Sequence, residues 1–281
     1  MRTTIKTLRA LLQWVASQIR PLSGSNLLRG VLLLSCWLSS FGVEGRNLYN
    51  PVPEKLTYEV VYHWGLIWKK AAEATLSLDI SQVGDTAVYK GRLVARTLAF
   101  ADKIFRVRDT LNVVMKGPDM RPYYYAKIAD EDNTYRKDEV YYHYSDEGIQ
   151  GITKLYRPKR NAIESYVLKA EKDAFDMMSV FYYIRTLDFE NAQMYQRFPV
   201  KIFSGKKVEN LSIEYLGRTI FNSPSKRVFN AFKIKLRFSI DNGASETENI
   251  TAWISDDGRK IPLQVEGRLP LGALKALYTG E

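Results

Sequence analysis

The sequence predicts a mainly β fold: a large curved antiparallel sheet, an open β-barrel or roll, with one α-helix packed on it. Three observations carry this expectation. Two-residue alternation of apolar and polar side chains recurs along the chain in many short runs. Clusters of Gly, Asp, Asn and Pro separate the runs at regular spacing. One stretch alone, around residues 174–188, changes to a three-to-four period.

Asn47 to Pro53 holds two prolines and reads as an extended lead-in. Leu56, Tyr58, Val60 and Tyr62 then mark the first strand, and Ala72, Ala74, Leu76, Leu78 and Ile80 the second. After the Val83-Gly84-Asp85 turn comes a strand from Tyr89 to Thr97. Phe105, Val107, Asp109, Leu111, Val113 and Met115 define one face of a long strand that stops at Gly117-Pro118-Asp119. Arg121 to Ile128, Thr134 to Tyr144, Gly151 to Arg157 and Ile163 to Lys169 continue the pattern, with turns at Asp130–Asn133 and Asp146-Glu147-Gly148.

In the segment 174–188, Phe175, Met178, Phe181 and Leu187 fall on one helical stripe, with Ile184 or Arg185 between the last two. Asp173 is the expected cap, its carboxylate accepting bonds from the free amides of the first turn. Strands resume at Phe198–Phe203, Lys207–Tyr215 and Thr219–Phe221. Phe232, Ile234, Leu236, Phe238 and Ile240 alternate up to an Asp241-Asn242-Gly243 hairpin turn. Asn249–Ser255, Ile261–Leu269 and Leu271–Tyr278 complete the set, with Asp256–Arg259 as the turn between the first two.

The chain has 281 residues, 46% of them apolar, which suits one large all-β domain or two ordinary ones. No Pro/Gly/Ser-rich linker or repeat divides residues 50–280, so 46–281 reads as a single domain. One cysteine excludes an intrachain disulfide and any Cys-rich metal site. Two histidines cannot build a multi-histidine centre, and no phosphate loop, nucleophile elbow or paired-histidine helix is present, so no metal and no cofactor is expected. Asp256-Asp257-Gly258 lacks the further acids of a calcium loop and reads as a β-turn.

Residues 1–45 are read as a leader outside the fold. They carry Arg2, Lys6, Arg9, Arg20 and Arg29 against Glu44, and Gly30 to Val43 is an apolar run ending in small residues. A basic region, a short apolar region and small residues make a secretory signal, here with an extended basic region, cut after Gly42 or Gly45. The run is short of the ~20 residues that span a bilayer; a retained anchor is the alternative. Leu33-Leu34-Ser35-Cys36 resembles a lipidation box, but the apolar run continues past Cys36, which reads instead as a discarded leader residue. The formal charge of +10 falls to a mild surplus of 36 bases over 30 acids without the leader. Secretion and that mild surplus argue against a nucleic-acid partner.

Tyrosine is the compositional anomaly, at eighteen residues, many between Tyr123 and Tyr166. Trp64, Trp68, Tyr123 and Tyr125, with the helix residues Phe175, Met178 and Phe181, are the candidate lining of a lipid or glycan groove, because an aromatic ring offers an apolar face and Tyr a polar tip. Aromatic enrichment of strands accounts for the same pattern without a ligand. Arg106 and Arg108 lie on one strand face and offer forked donors for a phosphate or carboxylate; acids on a neighbouring strand would pair them instead. His63 and His143 are the only candidate general bases, with a structural role as the alternative for each.

Several stretches together resemble one family. They are Glu54 to Val60 with Trp64-Gly65 and Ala72 to Thr75; Phe105 to Thr110; Arg121 to Tyr125; Asp176 to Arg185; and Trp253 to Asp257 with Arg259 to Pro262. The family is the domain of unknown function DUF3108, and the resemblance covers nearly all of residues 50–280. It implies an exported, mostly β protein of the Gram-negative cell envelope and brings no catalytic residues. The fold expected is similar to that of envelope lipoprotein carriers, whose curved sheet embraces a helix and holds acyl chains, an analogy of fold only. The resulting expectation is a non-catalytic periplasmic or envelope binding or chaperone-like module for a lipid, acylated or glycan ligand. The alternatives are an envelope scaffolding protein and an envelope enzyme using His63 or His143. Oligomeric state is not legible.

Overall fold

The computed structural model describes residues 49–132, 134–240, 248–268 and 272–281. The leader, Cys36 and the hairpin turn at 241–243 lie outside the described residues, as does the side chain of Trp64.

Fifteen strands form one sheet: β1 (Glu54–Trp64), β2 (Ile67–Val83), β3 (Thr86–Thr97), β4 (Val107–Lys116), β5 (Arg121–Glu131), β6 (Thr134–Ser145), β7 (Gly148–Arg157), β8 (Ala162–Ala170), β9 (Ala174–Phe175), β10 (Arg197–Ser204), β11 (Lys207–Asn222), β12 (Val228–Ile240), β13 (Glu248–Ser255), β14 (Pro262–Arg268) and β15 (Ala273–Gly280). The strand order is β8-β7-β6-β5-β4-β3-β2-β1-β15-β14-β13-β12-β11-β10-β9. Two antiparallel meanders are thus joined where β1 pairs with β15, and β9–β10 is the parallel pair.

The edges of this sheet must nearly meet. In a flat sheet, fourteen spacings of ~4.8 Å would hold β8 and β9 roughly 65–70 Å apart. Only Glu171, Lys172 and Asp173 join them, and the four Cα steps from Ala170 to Ala174 reach no more than about 14 Å. The sheet is therefore curled into a nearly closed, barrel-like form. Among the described residues, side chains rather than backbone bonds bridge the remaining seam. Lys206, in the β10–β11 turn, pairs with Glu164 of β8 at 2.6 Å and sits 5.0 Å from the Tyr166 ring centroid.

Helix α1 (Ala99–Asp102) is a single turn between β3 and β4, and α2 (Ser179–Thr186) is the main helix. The long helix expected over 174–188 is shorter because its first residues do other work. Ala174 and Phe175 form β9, hydrogen-bonded beside Lys201 and Ile202. Asp173 has φ +49 and does not cap; its carbonyl accepts from Lys201 N. Asp176 takes the capping role: its Oδ1 accepts from the amides of Met178 and Ser179 at 2.8 Å, and Ser179 Oγ donates to its Oδ2. The expected strands Lys207–Tyr215 and Thr219–Phe221 are one strand, β11, interrupted by a bulge between Tyr215 and Arg218. Gly217 supplies the φ of +102 that the bulge needs.

Ser179, Val180, Tyr182, Ile184 and Arg185 of α2 are all buried. Met178 and Tyr182 join one apolar cluster, with Leu56, Leu78, Val113, Tyr125 and Tyr142 among its members. Val180 and Ile184 join another, with Ile202, Ile213, Ile234 and Ile254. The helix therefore lies between the two meanders and fills the space they enclose. The polar groups of its fully buried residues are matched, as burial demands. Tyr182 Oη donates to Ser77 O at 3.1 Å. The Arg185 guanidinium is bidentate on Glu54, at 2.5 and 3.0 Å, and also donates to Arg259 O.

Candidate functional site

The interior face of β6 organises what space remains. Asp138, Val140, Tyr142 and Tyr144 alternate onto it. Asp138 and Val140 border one cavity, of about 130 Å³. Tyr144 borders a second, of about 210 Å³. Tyr142, between them, is buried and belongs to a wall. Its ring stacks on Phe203 at 5.6 Å and its hydroxyl donates to Asp176 Oδ2 at 3.2 Å. The chain crosses this wall at 175–177, with Phe175 on the larger cavity and Met177 on the smaller. Burial pushes the Asp176 carboxyl up to about 6, against the bonds from Ser179, Met178 and Tyr142 that favour its charged form.

The smaller cavity has an apolar wall of Leu111, Tyr125, Val140, Leu155, Met177 and Phe203, and it opens beside the Ser204-Gly205 turn. Three charged residues border it, Lys127, Asp138 and Glu139, and all are paired, Glu139 with Lys137 at 2.8 Å. Lys127 Nζ lies 3.4 Å from Asp109 Oδ2, and Asp138 accepts from Arg157. The network continues towards the β5–β6 turn with Arg136 on Glu131 at 3.1 Å. These carboxylates are nearly sealed from water, and burial raises the pKa of Glu131. The arrangement is an apolar pocket beside neutralised charge, suited to holding an apolar group with a polar end.

The residues expected to line a groove are not brought together. Tyr125 borders the small cavity and Phe175 the larger one, whereas Met178 is a core side chain, 1% exposed. Phe181 packs against the Val180–Ile184 cluster. Trp68 and Tyr123 are on the surface, 55% and 39% exposed. Tyr123 parts from Tyr125 despite sharing its alternation, because β5 bulges there: Met115 pairs with Pro122 and Val114 with Tyr124, leaving Tyr123 out of register. Arg106 and Arg108 do not offer free forks. Arg106 is bidentate on Asp130, at 2.6 and 3.0 Å, and Arg108 on Asp102, at 2.5 and 3.1 Å. The hydrogen bond from Arg108 is the main cause that lowers the pKa of Asp102.

His63 stacks on Trp68 at 4.0 Å and its Nε2 lies 3.1 Å from Gly65 O; His143 is exposed. Neither bonds a carboxylate among the described residues. Among those residues no group of three or more His, Cys, Asp or Glu is placed to hold a metal. Of the residues that divide the interior, Phe203 and Asp176 were not candidate site residues in the sequence, and Tyr142 stood out only as one of the mid-chain tyrosines. The signal available was Gly151, whose missing side chain makes room for Phe203.

These features define a barrel-like β protein whose enclosed helix leaves a small cavity on either side of an aromatic wall. The chain belongs to the DUF3108 family, described as a protein of unknown function, whose model matches residues 57–279. The fold is similar to that of a solved β-barrel-like protein of the domain of unknown function DUF1849 from Brucella abortus. The TM-score is 0.55 at 10% identity, over 82% of this chain and 96% of that one. No curated protein sequence matches the chain.

Proposed function

We propose that the protein is an exported envelope module that binds the apolar end of an acylated ligand and does not transform it. The observation that carries this reading is the apolar cavity between Leu111, Tyr125, Val140, Leu155, Met177 and Phe203, edged by paired charges. Its volume of about 130 Å³ is close to that of an apolar cavity of ~150 Å³ that takes up benzene. It therefore suits a ring or the end of a chain rather than a whole lipid. The basic and apolar leader supports export.

Mass spectrometry of small molecules co-purifying with protein taken from the periplasm tests the reading, paired with titration of a fluorescent fatty-acid analogue. Acylated species in the purified protein, and analogue binding weakened about tenfold by Leu111→Phe, are expected. A clean extract together with no analogue binding would overturn it. A second reading, an interaction protein, is favoured by one feature: edge strand β8, with no strand paired to its outer side among the described residues, exposes Ile163 and Val167 at 69% and 57%. Cross-linking to envelope proteins that Val167→Lys abolishes is the outcome that would favour it.

A further inference from the structure

The larger cavity, about 210 Å³, differs in character from the apolar one. It lies beyond the Tyr142–Phe203–Asp176 wall, between the start of β5, the β6–β7 turn, the three residues that join β8 to β9, and α2. Two tyrosines border it, and both rings are held in place. Tyr144 Oη donates to Pro122 O at 2.7 Å, Tyr123 packs on its ring at 5.4 Å, and the Arg121 guanidinium lies 5.9 Å from its centroid. Tyr183 stacks on Phe175 at 4.3 Å.

Hydrogen-bonding capacity is left over around these rings. The hydroxyl of Tyr183 and the side chains of Glu171, Lys172 and Asp173 make no hydrogen bond or ion pair among the described residues. Asp173 is held in place by its backbone, whose carbonyl accepts from Lys201 N. Asp119, Glu171 and Asp173 stand against Arg121 and Lys172, so the lining carries one net negative charge. Asp119 is already on Arg121 at 2.6 Å, which leaves Glu171 and Asp173 as the acids with free oxygens.

From this combination we infer that the cleft is a carbohydrate subsite that takes one amino-sugar ring. A sugar ring has an apolar C–H face, which matches a fixed aromatic side chain, and a rim of hydroxyls, which needs donors and acceptors at once. The cavity is smaller than the ~300 Å³ at which drug-sized pockets begin, so a single ring is the unit that fits. The surplus carboxylate selects a cationic amine over a neutral hydroxyl or an acid. Rings positioned before the ligand arrives lower the ordering cost of binding. The inference is independent of the acyl reading, because the wall separates the two cavities.

Calorimetric titration of the purified protein with glucosamine, glucose and glucuronate tests it. Binding is expected in that order, with about tenfold between first and last. Tyr144→Ala should weaken glucosamine about tenfold. Asp173→Asn, which tolerates the same left-handed backbone, should narrow the preference for glucosamine over glucose while the fold stays intact. Leu111→Phe, in the other cavity, should change none of these values. A soluble amino-sugar oligosaccharide and an amino-sugar glycolipid in micelles, run side by side, distinguish a glycan chain from a lipid headgroup as the source. No heat with any sugar at about 50 mM, well above the weak millimolar range, would overturn the inference. So would a glucuronate affinity equal to that of glucosamine, or a glucosamine affinity unchanged in Tyr144→Ala.

Discussion

Phe203 occupies the space that a side chain at position 151 would need. A Cβ built on Gly151 would lie 2.7 Å from Phe203 Cε2 and 3.3 Å from Val140 Cγ1. The ring comes from β10 on one side of the seam and the glycine from β7 on the other, so this contact helps hold the curled sheet together. Gly151→Ala is expected to destabilise the fold by about 1–3 kcal/mol through overpacking. Phe203→Leu should cost a comparable amount through lost packing on Tyr142, and the double variant less than the two singles combined, because the smaller residue makes room for the added methyl. Urea denaturation of the three variants measures this. Strict additivity would show that the two residues do not share the space.

Arg185 and Glu54 form an ion pair with both side chains 1% exposed. Arg185 sits on α2 and Glu54 opens β1, so the pair pins the enclosed helix to the strand that joins the two meanders. Glu54→Ala should cost about 3–5 kcal/mol, because it strands a buried guanidinium. Glu54→Leu with Arg185→Met should cost less than that single change, since neither charge then remains in the interior. Arg259 also reaches Glu54, at 3.2 Å, and pairs with Glu281 near the surface. Glu281→Gln should cost no more than about 1 kcal/mol, as for exposed pairs. Thermal and chemical denaturation of the four proteins gives the ranking.

The strands were legible because their burial is one-sided over long runs. Phe232, Ile234 and Leu236 alternate in sequence, and all three are buried on one face. Features that depend on a single residue were not legible. Helix α1 is four residues long and leaves no periodic trace. Asp173 is the expected cap of α2, but the parallel pairing of Phe175 with Ile202 draws the preceding residues into the sheet and moves the start on to Asp176. Tyr123 and Tyr125 look equivalent until the bulge sets them in different environments. The pairing of Arg106 with Asp130 depends on cross-strand register, which alternation within one strand cannot specify. The cavities were illegible for a related reason: their walls come from residues as distant as Leu111 and Phe203, or Asp119 and Tyr183.

Because Asp130 and Asp102 already occupy the Arg106 and Arg108 guanidiniums, removing either arginine should leave ligand uptake unchanged. Arg106→Ala and Arg108→Ala are expected to bind the fatty-acid analogue and glucosamine as the parent protein does. Arg108→Ala also frees Asp102, whose pKa should return upward to the ordinary carboxylate range once its main hydrogen-bond donor is gone. Binding titrations check the first expectation and carboxyl NMR titration the second. A loss of uptake in either variant would mean that the arginines leave their partners when ligand arrives.

Asp176 gives the fold a pH dependence opposite to that of the common surface carboxylate. Burial raises its pKa from 3.8 to about 6, so between these values the folded chain keeps a proton that the unfolded chain has lost. The contribution of this group to stability is therefore greatest below about pH 4, and falls as pH rises, by about 3 kcal/mol at the most once pH exceeds 6. Asp102 and Glu214 act the other way. The Arg108 hydrogen bond lowers the first, and for the second the bond and charge of Arg237 outweigh desolvation. The dependence must accordingly be read as a difference between proteins. Asp176→Asn keeps an oxygen for the Met178 and Ser179 amides but cannot ionise. The stability of the parent relative to this variant should rise as pH is lowered from 7 to 4, by up to the same ~3 kcal/mol. Urea denaturation at unit pH intervals measures it, and a difference that stays flat across that range would mean the carboxyl is not sealed behind Tyr142.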